Sequence, residues 1–570
     1  WAADGTRVRG NLGAVTALGA ALALLGFLAL AATPVTADWP VVSLTHRGIW
    51  LLVILSFALR LAPRRPRLPS LRFPPVAAFV TGAVVMILEI AGFRLLSPFF
   101  GYSTYVWGAL LGTVMAALAA GYYVGGWLAD RRSPEAALRA SLLATAVLVL
   151  GTLYVYPAIV RLTVNLSLVG GSLAAATLLL FLPMAGLGMA TPLLVRLAVR
   201  AGDVGVTVGR IYAAATVGSL AGTFAASFVL VTGLGPQESW AAAGIVHLGL
   251  LSAHGVARGG LAGVHWLGLL LVFAQPLAPE ISVAALKGGT RIYETESEYS
   301  HLEVIELGKT LQLVPSLRFV HTIYDEDRIL DPVMTYGLLP SFLVDQPRTM
   351  LHLGMGGGTL SRAYLHAHPE IRVHGVDIDR EMVRLGRRFL GLRDDPRLSI
   401  FIEDARAYLA RAPAPRYDVL VWDLFQGGVF VPYYALTREF FESARERLTE
   451  RGVLALFIAR PRTASASVRD RYARLYESVG NTLAAVFPSV AAYPVTRIGY
   501  YFVATRDPMS LETVRARLAA ADQEAVHGPL RAALRGLVEY RPDPSVPVLT
   551  DDLAPVDQLI YDAFFRQGDD

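Results

Sequence analysis

Acids and glycines stand directly after four short apolar runs in the second half of the chain, and these residue types suit the binding of a nucleoside. In chain order the four positions hold Gly354, Gly356 and Gly358, then Asp377, then Glu403 and Asp404, then Asp423. Glycines allow the backbone to approach a ligand closely. A carboxylate about 20 residues beyond such a turn suits hydrogen bonds to ribose hydroxyls. The pattern therefore predicts a nucleoside site.

These positions need a sheet that brings them together. The runs RTMLHL, IRVHGV, RLSIFI and YDVLVW are typical of buried strands, and TLSRAYLHAH and EMVRLGRRFLG between them are typical of amphipathic helices. This alternation predicts βαβ units and a parallel sheet. In such sheets ligands bind beyond the carboxyl ends of the strands. Residues 346–570 are thus predicted to form a Rossmann-like α/β domain.

A dinucleotide oxidoreductase is the first alternative for this fold. Its fingerprint needs a G-x-G-x-x-G turn, whereas GMGGGTL has Leu360 or Ser361 near the place of the third glycine. That fingerprint also gives no role to the acid after the third strand. The difference favours a sulfonium nucleoside, either S-adenosylmethionine or its decarboxylated form.

The first half of the chain is too apolar for an ordinary cytosolic enzyme. Charged residues make up 17% of the chain, against about 25% in a typical soluble protein. Nine apolar runs approach the roughly 20 residues that a bilayer crossing needs; they cover 11–32, 48–62, 76–97, 104–129, 140–160, 171–195, 208–232, 240–256 and 261–279. Because Gly and Ala are abundant in them, the helices are expected to pack closely. Residues 1–284 are therefore predicted to form a polytopic α-helical membrane bundle of eight or nine spans.

Arginines in alternate connections indicate the orientation of this bundle. They are Arg7 and Arg9; Arg60, Arg64, Arg65, Arg67 and Arg72; Arg131, Arg132 and Arg139; Arg196 and Arg200; and Arg258. The positive-inside rule places the N-terminus in the cytoplasm. Nine crossings would leave the C-terminal half outside, whereas eight keep it inside, with 48–62 or 261–279 at the membrane surface. We adopt eight crossings in the cell (inner) membrane and a cytoplasmic C-terminal domain.

Composition excludes several other functions. The chain has no Cys, which excludes disulfides, thiolate metal sites and cysteine nucleophiles. Its net charge of +5 arises in the apolar half, so no nucleic acid partner is expected. Its histidines lack spacings such as H-E-x-x-H, and no metal site is expected.

The soluble half resembles the spermidine synthase (polyamine aminopropyltransferase) family in its membrane-fused branch. The resemblance covers roughly 285–505 and rests on YETESEYSHLEVIE, LGMGGGTLSR, VDID, DDPRLSIFIEDARAYL, YDVLVWDLF and AAYPVTRIGYYFVAT, while GRIYAAATVGSLAG and LPMAGLGMATPLL resemble helices of that branch. It implies a domain of the class I methyltransferase type over 346–570. It also implies a small β-hairpin region within a β-rich substrate segment over 285–345.

The resemblance also implies a role for each site residue. For the nucleoside, Gly354, Gly356 and Gly358 would line its methionine-like portion, Asp377 would hold the ribose, and Asp404 beside Glu403 would accept a hydrogen bond from the adenine amine. For the acceptor, Asp423 would receive the proton of an attacking amine, and Tyr493 would line the pocket. The implied reaction moves an aminopropyl group from decarboxylated S-adenosylmethionine to an amine and releases methylthioadenosine. The donor would be a co-substrate, with no prosthetic group.

The amine side departs from the family pattern. The glycine-rich loop is one residue shorter and has no acid, and the family's polar positions correspond here to Tyr299 and Ser300, to Tyr336, Gly337 and Leu338, and to Gln426. Loss of several charged partners, each worth about 1.5–3 kcal/mol, should weaken ordinary diamine binding. Asp551 and Asp552 in LTDDLAPVD are candidate replacements, and a solvated acidic turn is an equal alternative.

Aminopropyl transfer is the leading prediction. One alternative is methyl transfer from S-adenosylmethionine to a lipid or another membrane-delivered acceptor, and another is a non-catalytic transporter that senses the nucleoside. The expected partners are a small-molecule amine or membrane-delivered acceptor and the lipid bilayer, with a homo-oligomer as a further expectation.

Overall fold

The computed structural model describes residues 73–199, 203–258, 281–317, 320–325, 334–411, 415–425, 429–461, 466–495, 498–521 and 527–565. The predicted apolar runs 11–32, 48–62 and 261–279 lie outside these residues. The chain divides into two compact units. One holds most of the apolar helices, and the other takes in the chain from Ile281 onward together with Leu96–Gly108 and Thr163–Ser172. The boundary predicted from the sequence instead assigns every residue before 285 to the helical part.

Long apolar helices fill the described part of the first half. They are α1 (Phe73–Phe100), α2 (Thr104–Arg131), α3 (Pro134–Thr163), α4 (Leu168–Ala198), α5 (Val204–Leu234, with a π-helical turn at Ala226–Leu230) and α6 (Pro236–Arg258). The first five have 28 to 31 residues and are apolar enough to cross a membrane. At about 1.5 Å per residue each exceeds the roughly 30 Å hydrocarbon core. They coincide with five of the predicted runs.

Small residues bring these helices together. A Cβ at Gly218 of α5 would lie 2.0 Å from the carbonyl oxygen of Phe79 in α1, and one at Gly121 of α2 would lie 2.2 Å from that of Ala185 in α4. No larger residue fits at either position without moving a helix. Close contacts of this kind are the reason that small residues favour helix packing in lipid.

Two sheets organise the second unit. A four-stranded antiparallel sheet has the order β1 (Thr290–Glu296), β2 (His301–Leu307), β3 (Thr310–Val314) and β4 (Thr322–Asp325). The larger sheet contains β5 (Thr349–Leu353), β6 (Arg372–Asp377), β7 (Leu398–Ile402), β8 (Tyr417–Trp422), β9 (Leu448–Ala459), β10 (Ser489–Val495), β11 (Gly499–Thr505) and β12 (Val538–Glu539). Its order is β12-β10-β11-β9-β8-β5-β6-β7.

The larger sheet is parallel where the site was predicted. Strands β9, β8, β5, β6 and β7 pair in parallel, whereas β11 joins β9 antiparallel and β10 joins β11 antiparallel. The order reverses between β5 and β8, which is the point where open α/β sheets bind ligands. The predicted α/β fold of the class I methyltransferase type is therefore confirmed for this unit.

Ten helices are described around these sheets. They are α7 (Val283–Lys287), α8 (Met334–Leu338), α9 (Thr359–Ala367), α10 (Arg380–Phe389), α11 (Ala405–Ala410), α12 (Arg438–Glu446), α13 (Ala466–Val486), α14 (Leu511–Ala519), α15 (His527–Gly536) and α16 (Val556–Phe564). One face of the sheet is buried with α8, α9, α14 and α15 in an apolar core that includes Met350, Val419 and Tyr364. This core fixes the strand ends that carry the site.

The α1–α2 connection is part of the second unit. The amide of Leu317 donates to the carbonyl oxygen of Pro98 over 2.7 Å, and the amide of His301 donates to the Tyr102 hydroxyl over 3.0 Å. At the start of α2, the Thr104 hydroxyl donates to Asp557 over 2.6 Å. The rings of Tyr105 and Tyr561 lie 4.4 Å apart. These contacts tie Leu96–Gly108 to the small sheet and to α16.

His301 lies among three carboxylates of the small sheet. Its Nδ1 is 2.6 Å from Glu296 Oε1, and its Nε2 is 3.3 Å from Glu303 Oε1 and 3.6 Å from Glu294 Oε1. Burial alone would lower the pKa of His301, but Glu296 and the other carboxylates outweigh it and raise the pKa well above 6.5. Glu303 also accepts from the amides of Val283 and Ala284 at the start of α7. The imidazolium therefore joins β1, β2 and α7.

We expect His301→Gln to destabilise this unit by about 3 kcal/mol at pH 6, because removal of the imidazolium leaves a group of carboxylates without the cation that lies among them. A raised histidine pKa contributes stability that is complete below the unfolded pKa and is lost as pH rises through the folded pKa. The difference in stability between the variant and the unsubstituted protein should therefore become smaller at alkaline pH. Thermal unfolding at pH 6 and pH 9 measures it, with exposed His366→Gln as the control. An equal loss at both pH values would contradict the charged cluster.

Candidate active site

The glycine-rich turn after β5 lies against the ends of two neighbouring strands. Gly354, Gly356 and Gly358 have φ angles of 81°, 52° and 82°, a region that favours glycine. A Cβ at Gly354 would lie 2.2 Å from the carbonyl oxygen of Asp423 after β8. The Gly356 amide donates to Asp377 Oδ2 at the end of β6 over 2.7 Å. The structure thus brings three of the predicted strand ends to one edge.

Asp377 holds the turn and is itself nearly buried. Its Oδ2 accepts from Gly356 and its Oδ1 accepts from the amide of Asp379 over 2.8 Å. Burial raises the pKa of Asp377 to about 6, although both amides oppose the shift. Each carboxylate oxygen can accept a second hydrogen bond. The geometry is therefore compatible with the predicted contact to ribose hydroxyls.

Asp423 follows β8 at the same edge. Among the described residues its carboxyl group has no hydrogen-bond partner. Burial, and then the charge of Asp377, raise the pKa of Asp423 to about 7. A carboxylate with a pKa near the working pH is an effective proton acceptor. The position and the pKa suit the role predicted for this residue.

The acids after β7 already have protein partners. Asp404 Oδ1 accepts from the amides of Arg406 and Ala407 as the N-cap of α11, and its Oδ2 accepts from the Tyr434 hydroxyl over 2.8 Å. Glu403 Oε2 is 2.5 Å from Arg411, while its Oε1 is buried and has no hydrogen-bond partner among the described residues. An adenine amine at Asp404 would share an oxygen with one of these donors.

The two candidate replacement acids differ in surroundings. Asp551 pairs with both terminal nitrogens of Arg406 and accepts from the Thr437 hydroxyl over 2.8 Å. The Arg406 guanidinium lowers the pKa of Asp551. Asp552 is exposed. The structure thus uses Asp551 to join α11 to the start of α12, and it does not present this carboxylate to an amine.

The predicted substrate tyrosines divide into an exposed one and a buried pair. Tyr299 is 40% exposed; burial and then the nearby charges of Glu298, Asp379 and Asp404 raise its pKa, so it lies near the carboxylate edge. Tyr336 and Tyr493 are buried in the core, and the Tyr493 hydroxyl donates to the Tyr336 carbonyl oxygen over 2.8 Å. Gln426 lies outside the described residues.

A second tyrosine of the same motif approaches the site. Tyr501 of β11 pairs in register with Tyr493 of β10, and their rings are stacked at 5.7 Å. Tyr501 also pairs with Phe457 of β9, the strand next to β8. Burial, and then the Asp423 charge, raise the pKa of Tyr501. Tyr501 was not among the site residues predicted from the sequence. The adjacent tyrosines Tyr500 and Tyr501 could have indicated it, because successive residues of a strand face opposite sides of the sheet.

The edge is strongly acidic. Asp379 caps α10 and accepts from the Ser297 hydroxyl of the β1–β2 turn over 2.6 Å. Burial raises its pKa to about 6. With Asp377 and Asp423 it forms a group of three carboxyls around the glycine-rich turn. Such a group attracts a cationic ligand, which agrees with a sulfonium nucleoside or an amine.

The sheet order and the glycine-and-acid edge define an α/β domain of the class I methyltransferase type. Residues 336–509 match the family described as "Spermine/spermidine synthase domain". The C-terminal part of the chain therefore carries a spermidine synthase domain, and the resemblance drawn from the sequence motifs is confirmed there. Long apolar helices precede this domain, as in a fused branch.

Individual relatives agree with this assignment. A "Probable polyamine aminopropyl transferase" of Bifidobacterium longum is 29% identical over 47% of this chain and 61% of its own length. A "Polyamine aminopropyltransferase 2" of Pseudomonas aeruginosa is 36% identical over 27% of this chain and 43% of its own length. The chain thus spans less than two thirds of either relative. A crystal structure of a probable spermidine synthase from Corynebacterium glutamicum is similar with a TM-score of 0.34 and 18% identity, over 44% of this chain and 95% of that one.

Proposed function

We propose that the C-terminal domain transfers an aminopropyl group from decarboxylated S-adenosylmethionine to an amine and releases methylthioadenosine. The Asp423 carboxyl beside the glycine-rich turn has no hydrogen-bond partner among the described residues. This carboxyl carries the proposal, because an aminopropyl transferase needs a proton acceptor at the donor site. The family match and the names of the relatives support the same reaction. The donor is a co-substrate, and no metal or prosthetic group takes part in the proposed step.

The proposed step is a displacement at carbon. The amine nitrogen forms a bond to the aminopropyl carbon that is attached to sulfur, and the carbon–sulfur bond breaks with its electron pair remaining on sulfur. The sulfonium thereby becomes the neutral thioether of methylthioadenosine. The new secondary ammonium loses a proton to Asp423. Since the sulfonium already activates the carbon, the protein mainly holds the reactants in line and accepts this proton.

The turn and the neighbouring acids supply the donor site in this proposal. The backbone at Gly354, Gly356 and Gly358 approaches the methionine-like portion, and Asp377 accepts from the ribose hydroxyls through the lone pairs that the Gly356 and Asp379 amides leave. Asp404 and Glu403 stand at the adenine end. Glu403 Oε1 is buried without a partner among the described residues, so it can accept from the adenine amine without displacing a protein donor.

Methyl transfer is the second candidate, and a specific observation favours it. The turn has no acid, and a Cβ at Gly356 would lie 2.0 Å from Cε1 of His321. Burial lowers the pKa of His321 to about 4, so the ring is neutral near pH 7. No charge on this ring pairs with the exposed amine of a decarboxylated donor. Methyl transfer from S-adenosylmethionine to a lipid or other membrane-delivered acceptor would use the same cleft.

Identification of the nucleoside product separates the two reactions. The full chain in detergent receives decarboxylated or ordinary S-adenosylmethionine together with 1,3-diaminopropane, 1,4-diaminobutane or 1,5-diaminopentane. Mass spectrometry should show methylthioadenosine from the decarboxylated donor and no S-adenosylhomocysteine from the ordinary one. S-Adenosylhomocysteine formation in a membrane extract, without methylthioadenosine, would replace aminopropyl transfer by methyl transfer.

The membrane setting belongs to the same proposal. The five long apolar helices support insertion in a bilayer, which would give the acceptor a route from the lipid phase. The cytoplasmic position of the transferase domain in the inner membrane and a homo-oligomeric state both stay predictions from the sequence.

A further inference from the structure

The Tyr501 hydroxyl is a polar group at the end of a nearly buried side chain. The side chain is 5% exposed, and its ring packs against Tyr493 at 5.7 Å and Phe457 at 5.4 Å. Among the described residues its hydroxyl has no hydrogen-bond partner. Buried polar groups are generally paired, because an unpaired one costs desolvation energy. This hydroxyl therefore stands out as a group that a ligand would satisfy.

Gly337 makes room for this hydroxyl. A Cβ at Gly337 would lie 2.6 Å from the Tyr501 hydroxyl oxygen, with Leu360 as its next neighbour at 3.1 Å. The lack of a side chain at position 337 is therefore what leaves room for the Tyr501 hydroxyl.

Asp423 provides a second polar group at this place. Its carboxyl has no hydrogen-bond partner among the described residues. Asp423 follows Trp422 of β8, which pairs with Leu456 of β9, and Tyr501 of β11 pairs with Phe457, the next residue of β9. The two residues therefore lie at the same level of the sheet on either side of β9. Burial, and then the Asp423 charge, raise the pKa of the Tyr501 hydroxyl well above its usual value. The two groups are not hydrogen-bonded directly. An amine nitrogen is a small group that can donate a hydrogen bond to both a carboxylate and a hydroxyl oxygen.

We propose that the Tyr501 hydroxyl and the Asp423 carboxylate together hold the acceptor nitrogen, with Tyr501 supplying a contact on the amine side. The inference rests on the proposed function and adds the residue that orients the nucleophile. One N–H of the amine donates to Asp423 and another donates to the Tyr501 oxygen, and the lone pair faces the donor carbon. Tyr493 does not take this role, because its hydroxyl already donates to Tyr336.

Tyr501→Phe tests the proposal in the full chain, with 1,4-diaminobutane as the acceptor and methylthioadenosine as the measured product. The change should raise the acceptor KM and lower kcat/KM for the acceptor by about 3- to 10-fold, the range for a hydrogen bond between neutral groups. The donor KM should stay within about twofold. Tyr500→Phe is the matched control, since its ring packs against Tyr472 and Tyr476 instead, and it should leave every constant unchanged.

Gly337→Ala provides a second test, which distinguishes a specific effect on the Tyr501 hydroxyl from general damage to the fold. Its Cβ would displace the Tyr501 hydroxyl, so the single change should raise the acceptor KM as Tyr501→Phe does. In the Tyr501→Phe background the hydroxyl is gone and the methyl group has room. The double variant should therefore be no worse than Tyr501→Phe alone, and the two effects should fail to add. Full additivity would overturn the proposal.

The outcomes separate this proposal from the proposed function. An unchanged acceptor KM in Tyr501→Phe, with an active unsubstituted protein, overturns the role of Tyr501 and leaves aminopropyl transfer standing. If only S-adenosylmethionine is turned over, aminopropyl transfer is wrong, and the same variants are judged on the KM of the methyl acceptor in a membrane extract. Absence of turnover with both donors overturns both proposals.

Discussion

Replacement of Asp423 by Asn should lower turnover by about 10³- to 10⁴-fold and leave donor affinity within about threefold. The amide has nearly the same size but cannot accept the amine proton, and loss of a placed general base typically costs 10²- to 10⁴-fold. In the unsubstituted protein, kcat/KM should rise with pH and level off above about 7, where Asp423 is ionised. Product formation against pH, with donor binding by calorimetry, measures both effects.

The same substitution has a consequence for stability. Because the folded pKa of Asp423 is raised from 3.8 to about 7, the folded state binds more protons than the unfolded state between these values. Folding stability from this residue therefore falls as pH rises from about 4 to 7. Asp423→Asn should remove that loss and give a higher Tm at pH 8. Asp394→Asn, at a side chain that is 94% exposed, is the control. Retention of more than a tenth of the activity, or a lower Tm at pH 8, would contradict the assignment.

Replacement of Gly354 by Ala should reduce donor affinity by more than about 100-fold. The residue has a φ of 81°, which costs an alanine about 1–2 kcal/mol. Its Cβ would in addition lie 2.2 Å from the Asp423 carbonyl oxygen, so the turn and the end of β8 must separate. Calorimetry with methylthioadenosine measures the loss without any need for turnover.

Gly308→Ala provides a matched control for that experiment. Gly308 also has a positive φ, 63°, but a Cβ there would meet nothing within 4 Å. It should therefore show the cost of the backbone conformation alone, as a small fall in Tm with unchanged donor affinity. Equal affinities for Gly354→Ala and the unsubstituted protein would show that the turn does not touch the nucleoside.

The sequence was sufficient for the parallel part of the sheet. Runs such as RTMLHL and YDVLVW are continuous and apolar because their strands are buried on both faces, and the acids end them because the strand tips are polar. The shared edge of Gly354, Asp377 and Asp423 follows from parallel pairing alone. The antiparallel strands β10–β12 could not be predicted in the same way, because their pairing is not encoded in any local sequence pattern.

Side-chain partners distant in sequence were beyond prediction. Asp551 was a candidate acid for an amine, but it pairs with Arg406, which lies 145 residues earlier. Tyr493 carries the family motif, yet its hydroxyl donates to Tyr336, and Tyr501 is the one near Asp423. The motif identifies the β10–β11 pair. Only the packing of the two strands decides whether the Tyr493 or the Tyr501 hydroxyl has a hydrogen-bond partner among the described residues.

The contacts of Leu96–Gly108 determine how this protein can be divided. A truncated chain that starts at Ile281 would retain every strand of both sheets, but it would lose Pro98, Tyr102, Thr104 and Tyr105. These residues cover Leu317, His301, Asp557 and Tyr561. Removal of the residues before Ile281 would therefore expose an aromatic ring and leave the Leu317 and His301 amides without these acceptors. A shortened protein needs a peptide equivalent to 96–108 to restore these contacts.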